Sequence, residues 1–147
     1  MTVRAEVLVP AGPLDAFRLF TDDIALWWRT GTPYWNDPQR GVSVRIEPGV
    51  GGRFLEVYDA DAGTGFEVGR VTAWEPGERL SFTWSEAGWP PGLSTTVDVT
   101  FAAVGEGTRV RLEHSGFEAV GADAGAGYEA GWTEILGWMT QHVRGAA

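Results

Sequence analysis

Cysteine is absent from this 147-residue chain, which excludes disulfides, thiolate nucleophiles and cysteine-bound metals at once. Two histidines are present, too few without cysteine for a zinc-type cluster, so no metal and no cofactor is expected. Basic residues are scarce: 11 Lys and Arg face 20 Asp and Glu, a formal net charge of -9. Such a field repels nucleic acid and anionic lipid, and no local basic run offsets it. No apolar run approaches the ~20 residues that a membrane helix needs. The opening MTVRAEVLVP lacks the basic segment followed by an apolar run that marks a secretion signal, so a cytoplasmic location is expected.

Motif chemistry is equally sparse. No Gly-x-Ser-x-Gly elbow, phosphate loop or dinucleotide fingerprint occurs. Gly49–Gly52, read GVGG, leads into a strand rather than a helix and so cradles no phosphate. Asp59–Gly63, read DADAG, lacks the spacing and closing glutamate of a calcium loop. What the chain has in plenty is tryptophan, eight in all. Each buries ~150–250 Å² and needs a partner for its N–H, so eight of them either fill a core or line a cavity.

The order of elements follows from periodicity. Val3–Val9 alternates with period two, as a half-buried strand does. Pro13 after Gly12 fits the first turn of a helix that carries Leu14, Phe17 and Phe20 on one side. Thr21–Trp28 reads as a second short helix, capped by Thr21 or Asp22. The turn-rich segment 29–41 is a loop. Six strands are then expected at Val42–Ile46, Arg53–Tyr58, Phe66–Trp74, Arg79–Trp84, Thr95–Ala102 and Thr108–His114. Their short links imply antiparallel neighbours.

The chain closes on YEAGWTEILGWMTQHV, in which Tyr128, Trp132, Ile135, Leu136, Met139 and Val143 form one apolar stripe at helical period. Trp138 falls just off it. Gly131 beside the stripe suggests a close approach, whereas Gly137 opposite it has no evident reason. A twisted antiparallel sheet needs its apolar face covered, and this is the one long apolar helix on offer. No repeat or long linker divides the chain, so one domain over 1–147 is expected.

Several segments in this order resemble the Hsp90 ATPase activator homologue family, within the START and birch-allergen-like helix-grip superfamily. They are VPAGPLDAFRLFTDDIALWW, GVGGRFLEV, EVGRVTAWEPGERLSFTW, TTVDVTFAAVGEGTRVRLEHSGF and GWTEILGWM. The most specific is the series Gly69, Val71, Pro76, Leu80 and Trp84, followed by Gly107 and Thr108. The resemblance implies an α+β helix-grip: a curved antiparallel sheet of six or seven strands wrapped around the C-terminal helix, with a pocket between them. The superfamily includes lipid and hormone binders, aromatic polyketide cyclases and the chaperone activator, so fold alone does not select a function.

On this reading the protein binds a small apolar or aromatic ligand between sheet and helix. Trp132, Leu136 and Met139 are the expected lining from the helix, with Trp28, Phe66, Trp84 and His114 from other elements. Trp35, on a loop, is read either as a cover for the ligand or as a loop anchor, and Trp89, on a loop stiffened by two prolines, either as a ring held over an opening or as a crystal or partner contact. Trp27 and Trp28 are read as a pocket mouth, or as one packed ring and one exposed lid. His114 shares a strand face with Val110 and Leu112, where a satisfied core histidine is commoner than an acid–base catalyst. No residue is assigned a catalytic role. The strand carboxylates Glu56, Glu67 and Glu113 reach the pocket only if their faces point inward. Two other classes stay open: a cyclase-like enzyme using the same cavity, and a chaperone-associated interaction module. A homodimer through Trp35 or Trp89 is compatible with each.

Overall fold

A computed structural model describes residues 1–121 and 123–145. The order is β1 (Thr2–Val9), α1 (Pro13–Phe20), α2 (Ile24–Trp27), β2 (Ser43–Ile46), β3 (Arg53–Asp59), β4 (Thr64–Glu75), β5 (Arg79–Trp84), β6 (Thr95–Val104), β7 (Gly107–Ser115), a short 3-10 turn (Phe117–Ala119) and α3 (Tyr128–Gly145). The strands form one curled sheet in the order β1-β7-β6-β5-β4-β3-β2, with every neighbouring pair antiparallel. The α+β helix-grip expected from the sequence is the fold observed.

Strand parity decides what faces α3. Val3 pairs with His114, His114 with Val97, and Val97 with Phe82, giving one fully buried row across four strands. The next row, Ala5, Leu112, Val99 and Leu80, is buried in the same way. Between the rows, Arg4, Glu113 and Asp98 point to the outer face. Alternation with period two thus places the apolar set on one side only. Helix α3 lies on that side, and its Thr140 hydroxyl donates to the Leu8 carbonyl at 3.1 Å.

The resemblance series has physical content here. A Cβ at Gly69 would sit 1.7 Å from the Thr83 carbonyl oxygen, so β4 and β5 approach too closely for any side chain. Val71, Leu80 and Trp84 are buried.

The short helices differ from expectation in two respects. Leu14 is 43% exposed, whereas Phe17 and Phe20 are buried with Ala16. Spacing by three precesses about 60° per step on a helix, so three such positions cannot share one face. The second helix is a single turn, Ile24–Trp27, and no side chain caps it. Thr21 is occupied elsewhere: its hydroxyl donates back to the Phe17 carbonyl at 2.8 Å and closes α1.

Helix α3 buries more than its stripe. Trp138 is buried because the segment 29–41 covers a second side of the helix. Tyr34 packs on Trp138 at 6.1 Å, and the Arg29 guanidinium sits 5.3 Å over the same ring. Gly131 also faces that segment: a Cβ there would meet Tyr34 Cε1 at 3.1 Å. At Gly137 a Cβ would meet nothing within 4 Å, and nothing in the structure explains that glycine. No helix among the described residues is long and apolar enough to cross a membrane.

Candidate functional site

The centre between sheet and α3 is filled by rings rather than left empty. Trp132 from α3 packs on Trp84 at 5.1 Å and on Trp28 at 6.2 Å, both edge-on. Phe54 and Phe82 close the space behind Trp84. Such edge-to-face contacts suit the ring quadrupoles and hold the indoles in place.

A void lies at one end of this cluster. It is a cavity of about 380 Å³, open on one side. Its floor is Trp84, Trp132 and Ile135; the loop residues Pro33–Asn36 form one wall, and Glu86–Gly88 with Ala126–Tyr128 form the other.

Glu56 on β3 builds the first wall. The residue is 4% exposed, and its carboxylate accepts from the backbone N–H of Asn36 at 2.9 Å, Asn36 Nδ2 at 3.1 Å, the Asp37 N–H at 3.2 Å and the Tyr58 hydroxyl at 2.6 Å. Burial and the Glu56 carboxylate together push the Tyr58 phenol well above its ordinary value. Asn36 Oδ1 in turn accepts the Ala87 N–H at 2.8 Å, tying the first wall to the second. Trp35 is buried, its Nε1 donating to the Arg29 carbonyl at 2.7 Å. It therefore anchors the loop while bordering the cavity.

A polar chain runs along the second wall. Trp84 Nε1 donates to the Tyr128 hydroxyl at 3.1 Å, and that hydroxyl donates to the Glu86 carboxylate. Burial raises the Glu86 carboxyl above the ordinary carboxylate range. Behind the floor, Trp132 Nε1 donates to His114 Nδ1 at 3.0 Å. Because Nδ1 accepts, the proton of the neutral ring sits on Nε2, which meets Thr95 Oγ1 at 2.6 Å. Thr95 then donates to the Trp84 carbonyl at 3.3 Å. With both nitrogens engaged and no exposure, burial lowers the His114 pKa to about 3. It is a satisfied core histidine that orients Trp132.

The structure brings Trp35, Trp84 and Trp132 to the cavity. Trp28, His114, Leu136 and Met139 are buried behind it and do not line it. Trp27 and Trp28 are both packed, so neither forms a mouth or a lid. Phe66 lies elsewhere, beside Arg40 and Tyr58, because its cross-strand partner is Glu56 on the part of the sheet that segment 29–41 covers. Trp89 packs against the core while its neighbours Glu86, Ala87 and Gly88 border the cavity. Of the strand carboxylates, Glu67 and Glu113 pair outward with Arg70 and Arg4, and Glu56 serves the loop. The sequence does not point to Glu86, Tyr34 or Asn36 as site residues, and it places Tyr128 only on the α3 stripe. The one signal for Glu86 is its place two residues past the strand that ends at Trp84, in a Pro/Gly-rich loop. Among the described residues no group of acids and histidines gathers to hold a metal.

Residues 11–144 match the family described as Activator of Hsp90 ATPase homolog 1-like protein. The chain belongs to that family. Among solved structures, protein MLL2253 from Mesorhizobium loti is 27% identical with a TM-score of 0.73, covering 100% of this chain and 99% of its own. The anthrahydroquino-γ-pyrone synthase Txn09, in its complex with SUM, is 29% identical with a TM-score of 0.65 and 96% of each chain covered. The Aha1 dimer from Colwellia psychrerythraea, at 19% identity, TM-score 0.70 and coverage of 97% and 96%, shares the fold. Among curated proteins, none matches the chain. Family membership therefore fixes the helix-grip and leaves the ligand to be argued from the site.

Proposed function

We propose that this protein binds a small apolar or aromatic molecule in the cavity between the N-terminal half of α3, the end of β5 and the two loops beside them. One observation carries this reading: a cavity of about 380 Å³ floored by Trp84, Trp132 and Ile135 in an otherwise ring-filled interior. Its size falls within the ~300–1,000 Å³ of small-molecule sites, and its apolar floor with a few polar groups at the rim is their usual make-up. The synthase among the structural relatives supports an aromatic ligand class. No catalytic residue is proposed, since His114 has both nitrogens committed to Thr95 and Trp132.

Native mass spectrometry of freshly purified protein, compared with the same sample denatured, tests the reading. Extra mass lost on denaturation is the expected result. A clean apo mass, together with no thermal shift on adding planar aromatic compounds, would refute it. Pairing of two copies, the state of the Colwellia relative, is a further proposal that light scattering decides.

A further inference from the structure

If the cavity is a ligand site, its walls also constrain the charge of what enters. Five rings and one carboxylate border it: Tyr34, Trp35, Trp84, Tyr128, Trp132 and Glu86. The donors on those rings are already spent. Trp35 donates to Arg29, Trp132 to His114 and Trp84 to Tyr128, while the Tyr34 and Tyr128 hydroxyls donate to Glu134 and Glu86. What the rings offer a ligand is the apolar and π surface that borders the cavity.

Glu86 is the complement. Among the described residues its carboxylate has one hydrogen-bond partner, Tyr128, and no ion-pair partner. Among the described residues no arginine or histidine lines the cavity. Burial raises its pKa, the response of an acid that has lost water without gaining a cation. The positive end of α3 lies beside the cavity and would oppose a cation, but Glu129 in the first turn meets that end. Aromatic faces attract cations most where water is thin, and a carboxylate with open lone pairs accepts from an ammonium.

We infer that the cavity takes a cationic amine carried on an apolar or aromatic body, its ammonium held by the Glu86 carboxylate and the surrounding ring faces. An anionic ligand of the same shape meets a carboxylate with no compensating donor. A neutral one takes more water from Glu86 and leaves its charge with no partner but the Tyr128 hydroxyl.

Calorimetric titration with 1-naphthylmethylamine, 1-naphthylmethanol and 1-naphthoate, at about pH 7.5 where the amine is charged, tests this. The amine should bind roughly tenfold or more tighter than the alcohol, with naphthoate weakest. Glu86→Gln, checked for an unchanged melting temperature, should bring the amine down to or below the level of the alcohol, while the alcohol binds as well as before or better because no charge is then desolvated. Equal or reversed ranking with measurable binding overturns the charge inference while leaving the ligand site standing. An amine preference that survives Glu86→Gln removes Glu86 from its role. No binding by any of the three overturns the ligand site and this inference together.

Discussion

The two ends of the aromatic interior are built from the same residue types and behave as opposites. Under α1 and α2, Phe17 packs edge-on against Trp74 at 5.1 Å and Phe101 at 5.3 Å, and Phe20 packs on Trp27 at 5.7 Å. Trp27 satisfies its N–H locally, on the Leu19 carbonyl at 2.7 Å. At the α3 end, the indoles of Trp84 and Trp132 instead donate into Tyr128 and His114, and the packing stops short of closure. Helices laid directly on the sheet close the first end. A 13-residue loop, tied down by the buried Glu56 carboxylate and anchored by Trp35, walls the second, and a wall hung largely on hydrogen bonds leaves space where a helix face would fill it.

That contrast breaks most visibly at the closed end. Phe20→Ala should cost about 3–5 kcal/mol in chemical denaturation, because a fully buried ring leaves a cavity its packed neighbours cannot fill. Ligand affinity of the fraction that remains folded should be unchanged. An effect below about 1 kcal/mol would mean that the closed end is as loosely packed as the open one. Next in size, Glu56→Ala removes the acceptor shared by Asn36, Asp37 and Tyr58 and should cost about 2–3 kcal/mol. Here hydrogen exchange should localise the damage, with protection lost across residues 29–41 and retained in β5–β7. Uniform loss of protection would show that the loop is not a separate wall.

This difference between the ends also explains what could be read from sequence. The sheet was legible because period-two alternation, as in Val97, Val99 and Phe101, is written locally and bounded by Gly and Pro. The stripe of α3 was legible for the same reason at helical period. Trp84 and Trp132 reach the cavity through exactly these local patterns of strand and helix, but Leu136 and Met139, on the same stripe, lie deeper because the stripe does not say where packing ends. The walls were not legible. Whether Tyr34, Trp35 and Asn36 border anything depends on Glu56 reaching across 20 positions of sequence, and no local pattern encodes that. Thr21 is a smaller case: a hydroxyl that suits a helix start equally suits closing the helix before it.

Acid should separate the ends without any substitution. His114 is held neutral, its pKa lowered from 6.5 to about 3 by burial. Above pH 6.5 folded and unfolded chains are both neutral at this residue, so it adds no pH dependence. Below that, the unfolded chain takes up a proton that the folded chain refuses, and stability falls until about pH 3. Between pH 7 and pH 5 the expected loss is about 2 kcal/mol. Glu86, with its pKa raised, works in the opposite direction and takes back part of it. His114→Leu will be less stable at neutral pH, having stranded the Trp132 N–H. Its stability should nevertheless be flatter over that interval, and an unchanged slope would clear His114 as the source.

The smallest effect distinguishes the ends most sharply. Tyr128→Phe keeps the ring that packs on His114 at 4.9 Å and on Phe117 at 5.0 Å, and deletes only the hydroxyl between Trp84 and Glu86. In a closed interior an indole N–H stripped of its acceptor would cost its full desolvation penalty, about 1–3 kcal/mol. Trp84 Nε1 borders a cavity open to solvent, so water can replace the lost oxygen and the cost should be nearer 0.5–1 kcal/mol. Denaturation curves measure that difference, and tryptophan fluorescence should shift to the red as the indole becomes hydrated. A loss above about 2 kcal/mol with no spectral shift would mean that water does not reach Trp84, and the open end would then be as dry as the end under α1 and α2.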